Sequence, residues 1–187
     1  MNLPFDEGKT AQAAAMFLKL RGGQMSYMKL IKLLYLADRT SLLKYGKPIT
    51  MDRWYSMKHG PVLSNVLSLI TDPSWTESSE GTWAQLISAP LEDHEVRLLS
   101  NTFPNDRLSS AEEKIITEVF DKYGHYNRWD LVELLHKGEI APEWKEPRQG
   151  SRILIALSDV LKTELDPEEA ELAEAELLSL VEAHRPS

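Results

Sequence analysis

The chain contains no cysteine, which excludes disulfide bridges, thiolate nucleophiles and zinc sites built on sulfur. It has no apolar run near the roughly 18 residues that a membrane-spanning helix needs. Its opening, Met1-Asn-Leu-Pro-Phe-Asp-Glu7, lacks the basic and apolar regions of a secretion signal. A cytoplasmic protein is therefore expected. Phosphate-loop glycines are missing too. Neither GxGxxG nor the P-loop spacing occurs, and no strand precedes Arg21-Gly22-Gly23, so that glycine pair reads as a helix-ending turn.

A surplus of positive charge is also lacking. The net charge is −8, from 29 acidic and 21 basic residues. From Glu164 onward there are eight acidic residues and one basic residue, Arg185, which leaves 21 acidic and 20 basic residues before that point. A neutral body with an acidic end offers no general phosphate-binding surface, so nucleic acid is not an expected partner. Trp54, Tyr55, Trp75, Trp83, Tyr126, Trp129 and Trp144 would suit base stacking only beside a basic track, and this body has none. Trp129 and Trp144 are instead expected in inter-helix packing. Trp75, in the polar loop Thr71–Gly81, is expected either to fold back or to meet a partner.

What is present is a soluble-type core composition, 42% hydrophobic over a length suited to one domain. Its organising stretch is Ser26–Val62. Met28, Leu30, Ile31, Leu33, Leu34, Leu36, Ala37, Leu42 and Leu43 cover more than one face of a helix, so neighbours must pack around it. Ser26 is the expected N-cap and Gly46 the C-terminal stop. An alanine-rich first helix is expected over residues 7–21.

Ile49–Met57, Trp83–Ile87 and Val96–Leu99 read as strands of a small antiparallel sheet, and Val62–Ile70 as a helix. Ser109-Ser-Ala-Glu112 has the form of a capping box, Asn127 opens a further helix, and a helical run is expected over Ile153–Leu161. Asp166-Pro167 supplies an N-cap and a proline at the first helical position for a final Glu/Ala/Leu-rich helix. The fold class expected is α+β and predominantly α-helical: a central buried helix, a small antiparallel sheet and a C-terminal acidic helix. Residues 1–165 are expected to form one domain, with 166–187 an amphipathic helix packed on it or extending it.

Three patches, in this order, resemble one family. They are Lys29-Leu-Ile-Lys-Leu-Leu-Tyr-Leu-Ala37; Trp54 with His59-Gly-Pro-Val62; and Leu108-Ser109 with Glu113, leading to Tyr123-Gly124, Trp129, Leu131, Leu134, His136 and Trp144-Lys145. Together they are similar to the Panacea domain, the SocA-like antitoxin family associated with bacteria and their phages, over roughly residues 10–165. The resemblance implies a mainly helical domain that neutralises a co-encoded protein toxin, encoded by an adjacent gene, by binding it directly. One branch of the family instead presents the toxin to an ATP-dependent protease, and some members carry an added DNA-binding region, for which the residues before the first helix leave no room. His59 stands where the family often has tyrosine, which favours a flat packing group over a catalytic base. No cofactor is implied, and a homo-oligomer is compatible with the sequence.

Chemistry by the chain itself is not expected. Glu133-Leu-Leu-His136 has the spacing of a di-iron ligand pair, yet such a site needs a second copy and none occurs. His136 is therefore expected to pack near Trp144. His59 could act as a base oriented by Asp38 or Asp52, but no nucleophile elbow accompanies it. No catalytic, metal-binding or cofactor-binding residue is assigned. Lys29 and Lys32 share a helix face beside the apolar stripe, where their stems would cover apolar surface and their ammonium groups would face water. With Asp38, Arg39, Trp54, Tyr55 and His59 they form the candidate partner-binding set, and the acidic helix is a second candidate contact.

Overall fold

The computed structural model describes residues 3–72, 74 and 81–184. Trp75 lies outside the described residues.

Helix α1 spans Glu7–Arg21, capped by the Asp6 carboxylate on the Lys9 N–H and closed at Gly22. Its small buried residues Ala11, Ala13, Ala14 and Ala15 let it lie close against its neighbours. Helix α2, Tyr27–Tyr45, is the centre of the molecule and ends at Gly46 in the left-handed conformation. It touches most other elements of the fold. Leu30, Leu33, Leu34, Leu36 and Ala37 are all buried, as an apolar pattern on several faces requires. Ser26 stands at the N-cap position, but its hydroxyl makes no capping bond and is buried without a partner among the described residues.

Strands β1 (Gln24–Ser26), β2 (Trp54–Met57) and β3 (Gly60–Leu63) precede α3, Ser64–Thr71. After α4 (Thr82–Leu86) and β4 (Glu95–Arg97) comes α5, Ser110–Tyr123, which carries the full capping box between Ser109 and Glu112. Asn127 caps α6, Arg128–His136. Strand β5 (Ile153–Ile155) and helix α7 (Leu157–Leu161) lead to α8, Pro167–Ala183, capped by Asp166. Helix α8 docks on α7 through buried Ala170 and partly buried Ala173 and Leu177. No helix among the described residues is long and apolar enough to cross a membrane.

The class is α+β and mainly helical, with the central buried helix foreseen. The small strands are distributed differently from expectation. Among the described residues they form two antiparallel sheets, β1 with β4 and the three-stranded β3-β2-β5. Of the expected strand Trp83–Ile87, Trp83–Leu86 is helical, with Trp83 and Leu86 three apart on one buried face of α4, while Ile87 keeps an antiparallel bridge to Leu98. Ile49–Met51 is not extended either. The Ile49 and Thr50 N–H groups bond the Asp38 carboxylate rather than a neighbouring strand, and Met51 takes a positive φ of 55°.

The Val62–Ile70 helix begins only at Ser64, because Val62 and Leu63 pair with Tyr55 and Trp54. The Ile153–Leu161 run divides into β5, opposite β2, and α7.

Candidate functional site

From Lys29 to Asp38 every residue of α2 is buried, so the polar residues of this stretch have no solvated face to occupy. Lys29 and Lys32 are 5% and 1% exposed, and Asp38 is fully buried. The expectation that they form a water-facing rim is corrected, and Trp54, at 1% exposure, is likewise interior. Each instead holds a distant piece of backbone or closes a polar network.

The Lys29 ammonium donates to the Gly124 carbonyl at the end of α5, where the helix dipole favours a cation. Burial, and then the charge of Arg21, lower its pKa. Lys32 donates to the Pro61 carbonyl at 2.8 Å, and burial brings its pKa down to about 7. Gly60 lies directly against it. A Cβ there would stand 3.3 Å from the lysine Cε and Nζ, and the φ of +101° suits glycine.

Asp38 gathers the loop ahead of β2. It accepts from the N–H groups of Ile49 and Thr50 at 2.9 Å, from the Thr50 hydroxyl at 2.5 Å, and from the Trp54 indole at 3.1 Å. Burial pushes its carboxyl up to about 7, against the opposing effect of the Thr50 and Trp54 bonds. Asp52 accepts from the N–H groups of Arg53, Asn65 and Val66, and so caps α3. Both carboxylates are occupied by these donors, so neither orients His59. Arg39 grips Glu143 through two bonds, at 2.9 and 3.3 Å, and Tyr35 donates its hydroxyl to the same carboxylate.

Around the β2–β3 turn the structure assembles a surface that the sequence did not delineate. His59 sits half-buried at the turn with its ring edge-on to Trp129, centroids 5.5 Å apart. His136 stacks on Trp144 at 4.2 Å and 11°, the packing role expected for it, and burial lowers its pKa. Trp144 donates its indole N–H to the Met57 carbonyl at 3.1 Å. Trp129, expected to be interior, is 52% exposed. Its helix places Leu131, Val132 and Leu135 inward, leaving Trp129 to lie over the turn. Tyr55 is half-buried, with the Arg152 guanidinium 4.2 Å over its ring.

Of the seven candidates, Arg39, Tyr55 and His59 therefore retain accessible surface, and Lys29, Lys32, Asp38 and Trp54 support it from within. Tyr35 and Glu143 were missed. The available signal was the shared helix face of Tyr35 and Arg39, four residues apart on the central helix.

Two concavities adjoin α2. One, of about 150 Å³, is lined by Tyr27, Met28, Ile31, Met57, Val62 and Leu67 together with Lys32, Lys58 and His59. The other, an open cleft of about 810 Å³ near the start of α2, mixes Arg21, Lys29 and Arg128 with Asp93, Glu95 and Asp121, so it favours no single ionic charge. No group of three or more His, Asp or Glu among the described residues is arranged to hold a metal ion.

These features define a helix-centred α+β domain whose central ionisable groups are engaged in holding loops in place. The chain belongs to the antitoxin SocA-like, Panacea domain family, whose model matches residues 30–145. The match takes in nearly all of α2, the β2–β3 hairpin, and α6 through Lys145, and it stops short of α7 and the acidic α8. Comparison with curated proteins and with solved structures gives no match.

Proposed function

We propose that this chain is the antitoxin of a bacterial or phage toxin–antitoxin pair and neutralises a co-encoded toxin by binding it directly. Membership of the SocA-like antitoxin family, over more than half of the chain, is the observation that carries this reading. The chemistry asked of the chain is complementarity: it covers an active or substrate-binding surface of the toxin and sterically excludes the substrate. The buried groups on α2 serve this indirectly. Lys32 and Trp144 fix the β2–β3 turn by holding the Pro61 and Met57 carbonyls, so the surface around His59 meets a partner already ordered. Preorganisation of this kind reduces the entropic cost of association.

Co-expression with the product of the adjacent gene tests the reading. The neighbour alone should arrest growth, and together the two should co-purify as a stable complex with growth restored. A harmless neighbour, or rescue without a complex, would refute it. Protease-dependent loss of the toxin in the presence of this chain would indicate delivery for degradation in place of occlusion.

A further inference from the structure

We propose that the apolar pocket beside the β2–β3 turn, together with exposed Trp129, is the docking site for one apolar side chain of the toxin that carries a carboxylate next to it. This rests on the antitoxin reading and specifies which surface acts and what it recognises.

Size limits the occupant first. At about 150 Å³ the pocket is well below the roughly 300–1,000 Å³ typical of small-molecule and cofactor sites, and it is suited to a single inserted side chain. Its apolar lining comes from Met28, Ile31, Met57, Val62 and Leu67, with the Tyr27 ring beside them, and selects an apolar group. Two of the walls are methionines, whose flexible side chains adapt to an inserted shape.

Charge specifies what lies next to that group. Lys32, Lys58 and His59 border the pocket, and no Asp or Glu lines it. Among the described residues Lys58 is exposed and forms no ion pair, while buried Lys32 is held on the Pro61 carbonyl. In a protein of net charge −8, Lys58 thus sets an exposed positive charge at the rim of an apolar opening. Nearby on α6, Asp130 accepts from Asn127 and Glu133 pairs with Lys137, so those carboxylates are already engaged within their own helix or its cap. A carboxylate from outside complements the site, and such complementarity fixes orientation and register.

Trp129 extends the surface. It packs edge-on against His59, which itself borders the pocket, and the Arg128 guanidinium lies 5.5 Å from its ring. A half-exposed tryptophan next to a pocket has the composition of an interface hot spot. His59 joins the two parts, giving the His59-Gly-Pro-Val62 patch a role as the bridge of a continuous face.

The test uses the purified full-length chain and the purified product of the adjacent gene. Lys58→Glu and Trp129→Ala change exposed groups and should leave the unfolding midpoint near wild type. Each should weaken the complex by about tenfold or more, while Lys114→Glu, on exposed α5 surface away from the pocket, should change it by less than about twofold. A wild-type complex that binds both variants within about twofold overturns the docking site while leaving the antitoxin reading intact. Absence of any wild-type complex overturns both. Light scattering of the chain alone closes the remaining route: a dimer abolished by Lys58→Glu would assign the pocket to a second copy, whose exposed Leu172 lies between acidic neighbours, and would also overturn the toxin as occupant.

Discussion

Lys32 of the central helix donates to the Pro61 carbonyl at 2.8 Å, and no carboxylate among the described residues pairs with it. The ammonium therefore carries a desolvation cost that a salt bridge would have reduced. That cost has a measurable sign. The lysine pKa falls from 10.5 in the unfolded chain to about 7 in the folded one. Between these values the unfolded chain holds a proton that the folded chain lacks, so wild-type stability rises with pH across this window. Below about 7 both states are protonated and the full cost remains. Lys32→Met removes the linkage. Urea unfolding from pH 7 to 9 should show wild type gaining on Lys32→Met by up to about 1.4 kcal/mol per pH unit; parallel pH profiles would contradict the assignment.

Glu143 is the hub of the second buried network, with its side chain fully covered and Arg39 and Tyr35 bonded to it. Glu143→Ala leaves the buried Tyr35 hydroxyl without its acceptor and Arg39 without its carboxylate, and should cost about 1–3 kcal/mol, the usual consequence of stranding a buried polar group. Glu143→Gln keeps one acceptor oxygen and should cost clearly less. A double-mutant cycle with Tyr35→Phe, read by chemical denaturation, would show coupling between the two sites; simple additivity would place them in separate networks.

Asp38 serves four donors with two oxygens. Asp38→Asn replaces one oxygen with an NH2 group that faces other donors. We expect a loss of about 2–4 kcal/mol, because buried donors are left unsatisfied. The Trp54 indole N–H resonance should shift as its acceptor changes. An unchanged indole signal together with wild-type stability would show that the carboxylate does not hold this loop.

The acidic helix is part of the folded body, which decides how its role can be tested. Ala170 is buried, and Glu174 accepts the Leu157 N–H at the start of α7. Deleting residues 166–187 should therefore destabilise the protein by about 2 kcal/mol or more, and would confuse binding with folding. Glu176→Lys with Glu182→Lys changes exposed charge and should stay within about 0.5 kcal/mol of wild type. If α8 contacts a basic toxin surface, this pair should weaken the complex and reduce its salt dependence. Unchanged binding would exclude those two positions from the contact.

Much of the helical framework can be read locally. Gly22, Gly46, the Ser109–Glu112 box, Asn127 and Asp166-Pro167 each set a helix end through bonds or backbone preferences within a few residues. The all-round apolar pattern of Leu30, Leu33, Leu34 and Ala37 determines that α2 is central, since no other placement buries every face. The ordered patches from Lys29 to Lys145 carry the family. These properties belong to the sequence alone, because local geometry and side-chain hydrophobicity need no knowledge of distant neighbours.

The site was decided by tertiary structure. Lys29 meets Gly124, Lys32 meets Pro61 and Tyr35 meets Glu143 across 95, 29 and 108 residues, and helical spacing does not identify such partners. The same spacing that suggested a solvated lysine edge also fits two lysines turned inward onto carbonyls. Only packing of the other elements around α2 distinguishes these arrangements, because it determines which ammonium groups lose water. The reverse holds for Trp129, whose residue type suggested an interior position and whose place at the start of α6 leaves it outside. Three-residue strands such as β1 and β5 are equally illegible in isolation, because their hydrogen-bonding partners lie far along the chain.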